Sequence, residues 1–237
     1  EIDDEADLKV AEESVHIEHK RHTYHSNVKN MLKAPYVCYN SEWYKRAPFP
    51  MNTENAKYLI NTLAEVFERN GVELILAYGT LLGAIREHNF IVHDADMDTL
   101  VWAKDMQKIL DLAPELERLG IHLCAYVLPW ILTFEYKNVG CDVDMMWDTL
   151  YPWTKRYLLV EQQYIPRAFF TSTQKIEFQE HRHTIPINSE KLLVYHYGKN
   201  WRLPSGKHAR VQSRLFIWIT IEKFIQRGIR FIKRKLK

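Results

Sequence analysis

The stretch "YGTLLGAIREHNFIVHDADMD", residues 78–98, contains a Gly-Thr turn, an arginine and three aspartates spaced two residues apart. Successive side chains of a β-strand point to opposite faces, so an extended segment would place Asp94, Asp96 and Asp98 on one face. Unpaired carboxylates on one face repel each other and raise each other's pKa. The spacing therefore predicts a cation bound between them.

The ligand chemistry indicates which cation this is. Carboxylate oxygens without a Cys or His ligand set favour Mg²⁺ or Mn²⁺ over zinc. Mg²⁺ usually completes its coordination with substrate phosphates, so a nucleotide is the expected partner. Gly79 is predicted to turn the chain into a helix whose N–H groups cradle a phosphate, and Thr80 adds a hydroxyl. Arg86 and His93 are predicted to contact phosphate or substrate.

A second acidic segment lies downstream in "GCDVDMMWD", residues 140–148. Asp142 and Asp144 are again two residues apart, on a run that is otherwise apolar and is predicted to be a strand. A single aspartate is usually a cap, a turn residue or an ion-pair partner. An acidic pair in a hydrophobic strand is explained better by a metal that both carboxylates face than by any of these roles.

The order of predicted elements indicates the fold class. Asn52 or Thr53 caps a helix whose apolar stripe runs to Phe67 and which stops at Asn70-Gly71. "VELILAY" and "MDTLVW" are predicted strands on either side of the short helix "TLLGAIRE". A helix with a break near Pro114 follows, then the strands "IHLCAYVL", "ILTFEYK" and "CDVDMMW", and a helix that ends at Gly198. This order predicts an α/β (α+β) fold, a mixed β-sheet flanked by helices.

Composition limits the possible classes of protein. The chain has 237 residues, of which 46% are hydrophobic and 26% charged, as in soluble globular proteins. A net charge of +2 argues against a strongly basic nucleic-acid binder. Three cysteines and no Asn-x-Ser/Thr site suit a reducing, cytosolic setting.

The two ends of the chain differ from its centre. Residues 1–50 are predicted to be a polar arm or helix, and we interpret His16, His19, His22 and His25 as solvated rather than metal-binding. Residues 206–237 are predicted to be a basic amphipathic helix. From residue 207 onward, ten Lys or Arg against one Glu give +9, which leaves −7 for the other 206 residues. Two interpretations of this tail remain open. It could bind an anionic membrane surface, or it could be a helix whose apolar side completes the core and whose basic tip is solvated.

The motif in residues 78–98 resembles the signature of the LicD/fukutin family, which is similar to nucleotidyltransferases of the polymerase-beta type. The chain has Val92-His93 where the family usually has Pro-Trp, and Ala95 where an acid is frequent. "IPINSEKLLVYHYGKNWRLP", residues 185–204, resembles the closing segment of the family. Together these motifs place a catalytic domain at residues 51–205.

The resemblance implies a metal-dependent transferase that moves a phospho-alcohol, such as phosphocholine or ribitol phosphate, from a CDP-linked donor to a hydroxyl of a cell-surface glycan. It implies that Asp94, Asp96, Asp98 and Asp144 bind metal and that the last three carry the catalysis. Asp142, the less favoured of its pair as a metal ligand, is expected at the substrate or phosphate site. Tyr197 and Trp201 would match the closing segment and contact substrate. Their neighbour Gly198 belongs to the same match.

Two rival functions remain open at this stage. One is transfer of a nucleoside monophosphate by the same carboxylates, and the other is a non-catalytic module that binds membrane surfaces through its tail. No nucleic acid is expected as a partner. A cytoplasmic protein at the membrane surface is the expected location, and the Golgi lumen is the alternative.

Overall fold

The structure is a computed structural model that describes residues 36–39, 51–149, 157–160 and 163–204. Most of the predicted polar arm, including its four histidines, and the predicted basic C-terminal helix lie outside these residues. The chain divides into two compact units, Glu1–Ile187 and Asn188–Lys237. The domain boundaries near residues 50 and 205 stay predictions, because the chain on at least one side of each is not described.

The first described helix, α1 (Thr53–Arg69), begins and ends where the sequence predicts. The side chain of Asn52 caps it by accepting the N–H of Asn55 at 3.0 Å. Gly71, with φ 69°, follows its end. One face of α1 is buried, and it consists of Ala56, Leu59, Ile60, Leu63, Ala64, Val66 and Phe67. This face packs on the sheet and stabilises the helix through burial of apolar surface.

The described strands form one ten-stranded sheet. They are β1 (Tyr36–Tyr39), β2 (Ile75–Leu76), β3 (Met97–Trp102), β4 (His122–Leu128), β5 (Ile131–Tyr136), β6 (Val139–Thr149), β7 (Tyr157–Val160), β8 (Gln163–Pro166), β9 (Thr173–Phe178) and β10 (His181–Pro186). Their order is β1-β4-β5-β6-β3-β2-β10-β9, while β7 pairs with β6 and β8. The pairs β3–β6 and β2–β10 are parallel and the others antiparallel. The predicted mixed sheet is therefore confirmed.

Two further helices of the first unit are α2 (Tyr78–Arg86) and α3 (Met106–Arg118), with short 3-10 turns at Ala103–Asp105 and Arg167–Phe170. Helix α1 covers one face of the sheet, where Phe67 packs edge-to-face on Phe134 of β5 with 6.1 Å between ring centroids. Because neighbouring strand residues alternate in direction, Thr133 points to the opposite face. Within the described part of the chain, no helix is both long and apolar enough to cross a membrane.

The predicted break near Pro114 is wrong, because α3 runs through it without interruption. Proline removes one N–H donor and crowds the carbonyl four residues earlier, so an interruption was a reasonable expectation. The apolar stripe of α3 continues on both sides of the proline, with Ile109, Leu112 and Leu116 buried. Burial of this stripe against α1 and β4 keeps the segment helical despite the lost hydrogen bond.

The one part of residues 1–50 that the structure describes is a strand, which the predicted polar arm or helix does not include. Tyr36–Tyr39 forms β1, which pairs antiparallel with β4. In this pairing Tyr36 lies opposite Leu128 and Tyr39 opposite Ala125. The short apolar run "YVCY" therefore extends the sheet rather than leaving it.

The described part of the second unit, residues 188–204, contains the helix α4 (Ser189–Tyr197). It ends at Gly198, with φ 81°, as the sequence predicts. After the helix, the guanidinium of Arg202 lies 4.3 Å from the ring centroid of Trp201 and forms an ion pair of 2.7 Å with Glu190. These contacts fold the closing segment back on its own helix.

Candidate active site

Helix α2 begins at a sharp turn directly after β2. Ala77 is extended, and the next residue, Tyr78, has a φ of 39° and is buried. The prediction that Gly79 makes this turn is wrong, because the left-handed residue is the tyrosine and Gly79 lies within the helix. Positive φ is uncommon for a residue other than glycine, so the surrounding structure must hold Tyr78 in place.

The role of Gly79 is instead a close approach of side chains. A β-carbon placed on this residue would lie 2.7 Å from Oδ2 of Asp94 and 3.6 Å from Oδ2 of Asp98. Because both distances start from one point, the two oxygens are at most 6.3 Å apart, the sum of 2.7 and 3.6 Å. The N–H of Gly79 also donates to Oδ2 of Asp98 at 3.3 Å. The missing side chain thus makes room for two carboxylates beside the helix start.

Helix α2 and strand β3 are tied together at Asp98. Its N–H donates to Oγ1 of Thr80 at 2.8 Å, and its carbonyl accepts the N–H of Ala77 at 3.1 Å. Thr80 is buried. The hydroxyl predicted to face a phosphate therefore holds the main chain of Asp98, and this pairing fixes the carboxylate against the positive end of the helix dipole.

The three spaced aspartates do not lie on one strand, so that prediction is wrong. Strand β3 begins only at Met97, and Asp98 alone belongs to it. The N–H of Asp94 donates to the carbonyl of Ile91 at 3.0 Å, which closes a turn before the strand. The period-two rule holds only for extended chain, and here the turn interrupts it. Asp94 reaches Asp98 across Gly79 rather than along a strand.

The second acidic segment lies beside the first through the parallel pairing of β3 and β6. Asp142 is directly opposite Asp98, and Asp144 is opposite Leu100. Side chains directly opposite each other share a face, as do residues two apart, so the three carboxylates are on the same face. Asp142 is half-buried and Asp144 is buried. This register places the carboxylates of the two acidic segments next to each other.

Two threonines hold Asp142, and the sequence analysis missed both. Oγ1 of Thr133, opposite Asp142 on β5, donates to Oδ1 of Asp142 at 2.6 Å. Oγ1 of Thr99 on β3 donates to the carbonyl of Asp142 at 2.8 Å. No local sequence signal marks these residues, because only the strand register reveals that they flank an aspartate.

Burial and the neighbouring negative charges both act on the carboxylates of this cluster. Burial raises the pKa of Asp98 to about 8, and the charges of Asp96, Asp142 and Asp94 add to the rise. The hydrogen bond from the N–H of Gly79 acts in the opposite direction. Burial of its carboxylate also raises the pKa of Asp96, although the residue as a whole is exposed. The cluster therefore favours binding of a proton or another cation.

The other two predicted contacts of this unit precede Asp94 in the chain. Arg86 ends helix α2, and its Nε forms an ion pair of 2.7 Å with Glu87. Its side chain is only 14% exposed. His93 is exposed in the turn that precedes Asp94. Substrate contacts of Arg86 and His93 stay predictions.

The two residues predicted from the closing segment belong to the second unit. Tyr197 is the last residue of α4 and half-buried, whereas Trp201 is buried. Their predicted role in substrate binding stays a prediction.

The donor set of the cluster fits a hard divalent cation. The charged groups that act on Asp98 are the carboxylates of Asp94, Asp96 and Asp142, and carboxylates are the ligand type that Mg²⁺ and Mn²⁺ prefer. Over residues 36–39, 51–149, 157–160 and 163–204, no three His, Cys, Asp or Glu side chains form a preformed metal cage. Mg²⁺ is usually held by one or two carboxylates together with substrate phosphates, so an open acidic cluster suits it.

Comparison with known proteins identifies the family. The family described as "LicD/FKTN/FKRP, nucleotidyltransferase domain" matches residues 71–188, a range that contains both acidic segments. Residues 71–188 form a domain of this family. Membership supports a transferase of the phosphotransferase type, and the LicD-type domain includes β2 to β10 of the sheet. No curated protein matches the chain.

Some solved structures resemble the LicD-type chain weakly. The lincosamide antibiotic adenylyltransferase LnuA, with lincomycin bound, matches 58% of this chain and 83% of its own, at 14% identity and a TM-score of 0.39. The antibiotic-resistance factor ANT(2'')-Ia matches 78% of this chain and 98% of its own, at 14% identity and a TM-score of 0.42.

Proposed function

We propose that the protein is a metal-dependent phosphotransferase that moves a phospho-alcohol from a CDP-linked donor to a hydroxyl of a cell-surface glycan. The observation that carries this proposal is the acidic cluster. Asp98 faces Asp142 across two parallel strands, while Asp94 approaches it across Gly79. Such a concentration of partly buried carboxylates is costly unless a cation completes it.

Mg²⁺ or Mn²⁺ is the proposed cofactor. Asp96, Asp98 and Asp144 are the proposed principal ligands, and Asp94 and Asp142 lie close enough to Asp98 to add to the negative field. When bound, the cation would neutralise the donor diphosphate and the departing CMP. Exposure of Asp96 leaves the cluster open on one side, as entry of a donor requires.

The start of helix α2 and Arg86 are the proposed phosphate contacts. The positive end of the helix dipole faces the cluster and favours anions there. In the structure Gly79 and Thr80 already hold Asp98, so they serve the phosphate site by fixing this carboxylate. His93 is exposed next to the acidic turn and is the proposed contact to the transferred group or the acceptor.

The remaining step is removal of the acceptor proton. The acceptor oxygen forms the new bond to phosphorus as the bond between phosphorus and CMP breaks. We assign the proton of the acceptor hydroxyl to Asp144, which is buried on the same face as Asp98. A carboxylate within reach of the hydroxyl supplies general-base catalysis of this kind.

The test is release of CMP from a panel of CDP-alcohols, with glycan acceptors, in Mg²⁺, in Mn²⁺ and in EDTA. The expected result is metal-dependent CMP from one donor and its loss in EDTA. Asp96→Ala should reduce turnover by at least about a hundredfold, because it removes a proposed ligand. Asp148→Ala is the matched control, since Asp148 lies at the exposed end of β6 and pairs with Arg167 at 2.8 Å.

Other outcomes would redirect the assignment. Full turnover by Asp96→Ala would refute the proposed site. Transfer of the nucleoside monophosphate itself, with release of pyrophosphate from a nucleoside triphosphate, would identify a nucleotidyltransferase. Neither product, combined with no binding of Mn²⁺, would favour the non-catalytic membrane-surface module.

A further inference from the structure

We propose that Thr133 is a positioning residue, which holds Asp142 as an additional carboxylate of the acidic site opposite Asp98. This inference rests on the proposed function, because it concerns the cation that the site would bind. It also makes Asp142 more important than the family resemblance implies, which favours Asp144 of this pair.

The first argument is the alignment of three neighbouring strands. Thr133 on β5 lies opposite Asp142 on β6, and Asp142 lies opposite Asp98 on β3. The three side chains therefore form one row across one face of the sheet. Oγ1 of Thr133 donates to Oδ1 of Asp142 at 2.6 Å, a short hydrogen bond to a carboxylate.

The second argument is that only one of the two threonines bound to Asp142 contacts the carboxylate. Thr133 donates to Oδ1 on the site face, whereas Thr99 donates to the main-chain carbonyl of Asp142 at 2.8 Å and does not set the direction of the carboxylate. A carboxylate held at one of its oxygens has less freedom to rotate than one without such a bond. Sites that bind a cation tightly depend on carboxylates oriented by such partners.

The third argument concerns the hydroxyl itself. Thr133 is only 3% exposed, and valine would occupy nearly the same volume with an equal preference for strands. Packing alone therefore does not require the hydroxyl. A buried hydroxyl without a partner is unfavourable, whereas one that donates to a carboxylate orients an acid.

The experiment measures Mn²⁺ binding to the full chain by electron paramagnetic resonance of the free ion, with calorimetry as a second readout. Thr133→Val should weaken binding about tenfold, at the lower end of the 10- to 100-fold range for partners of metal ligands. Thr133→Ser keeps the donor and should restore affinity to within about threefold of wild type. Asp142→Asn should weaken binding by at least about tenfold.

Thr99→Val is the matched control. It removes a buried threonine hydroxyl of the same kind, but one that bonds the carbonyl of Asp142 rather than its carboxylate. The thermal melting temperature of Thr99→Val should fall as much as that of Thr133→Val. The affinity of Thr99→Val for Mn²⁺ should stay within about threefold of wild type. Equal weakening of binding in both variants would show a general loosening of the sheet and overturn the inference.

The remaining outcomes separate this inference from the proposed function. Wild-type affinity in Thr133→Val, or in Asp142→Asn, would overturn the inference and leave the function intact. No Mn²⁺ binding by wild type would contradict the metal dependence on which both rest. If Thr133→Val fails to fold, the comparison of Thr133→Ser with Asp142→Asn still decides whether the Asp142 carboxylate contributes.

Discussion

Gly79→Ala tests whether this glycine exists to admit the carboxylates. The added β-carbon would lie 2.7 Å from Oδ2 of Asp94, whereas ordinary contact begins at 3.4 Å. The oxygen must therefore move by about 0.7 Å, the difference between the two distances. Because this oxygen ends a side chain, it can move at little cost, and alanine is favoured over glycine in a helix by up to about 1 kcal/mol.

The expected result is a separation of stability from activity. The free energy of unfolding in urea should change by less than about 1 kcal/mol, because the clash is relieved by one side chain. CMP release should fall about 10- to 100-fold, because displacement of a group in the site by close to 1 Å is costly for catalysis. Affinity for Mn²⁺ should fall in parallel if Asp94 is a ligand.

Gly83→Ala is the contrasting variant in the same helix. A β-carbon there would lie 2.6 Å from the carbonyl oxygen of Asn89 and 3.3 Å from the backbone nitrogen of Ile91. Backbone atoms cannot turn away, so the loop after α2 must shift, at a cost of about 1–3 kcal/mol in unfolding free energy. Unchanged turnover in Gly79→Ala, or destabilisation as large as in Gly83→Ala, would refute our explanation of Gly79.

Two predictions concern the pH dependence of stability, measured by urea unfolding in EDTA. Burial raises the pKa of Asp98 to about 8, so between about pH 4 and 8 the native state holds a proton that the unfolded chain has lost. The free energy of unfolding should therefore fall as pH rises, by up to about 1.4 kcal/mol per pH unit. Asp98→Asn should remove this slope. A slope that persists in Asp98→Asn would contradict the assignment. Burial lowers the pKa of His183 to about 3, with its Nε2 2.8 Å from Oδ1 of Asn61. Below about pH 6.5, His183 therefore binds a proton in the unfolded chain but not in the native state. The free energy of unfolding should fall by about 2 kcal/mol at pH 5, and His183→Gln should remove this decrease at acidic pH. Between about pH 4 and 6.5 the two slopes oppose each other in wild type, so each variant should uncover the slope of the other group, and two variants that both follow the wild-type curve would refute both predictions.

Local signals were sufficient for the elements that surround the site. The cap at Asn52 and the apolar stripe of α1 act within one helix, and the structure confirms both. Strand β3 coincides with the predicted "MDTLVW", and α4 ends at the predicted glycine. Each of these depends on residues only a few positions apart, which is the range that periodicity and capping report.

The arrangement of the acids could not be obtained in this way. Alternating aspartates suggested one extended strand, but a turn closed by Asp94 and Ile91 precedes β3. The partner of Asp98 is Asp142, and their proximity depends on a parallel register between strands separated by a helix and two other strands. Nothing within either segment encodes that register, and so neither Thr133 nor the position of Asp142 directly opposite Asp98 was predicted.

Among the strands after residue 150, β9 was missed for a different reason. Strand β9 lies at one end of the sheet order, and only Phe178 of its six residues is buried. An edge strand of this kind satisfies its backbone on one side and leaves most side chains in water. Its sequence therefore lacks the alternation that marks a half-buried strand.

Strand β6 is paired along both of its edges, with β3 on one side and β5 and then β7 on the other. A substitution at Asp142 alters one side chain, but insertion or deletion of one residue in β6 would turn all following side chains to the opposite face. Val143 would then occupy the face that now carries the acids. Insertions and deletions are therefore expected to be tolerated in the connecting loops and not within β6, so the number of residues between Val139 and Thr149 is constrained independently of their identities.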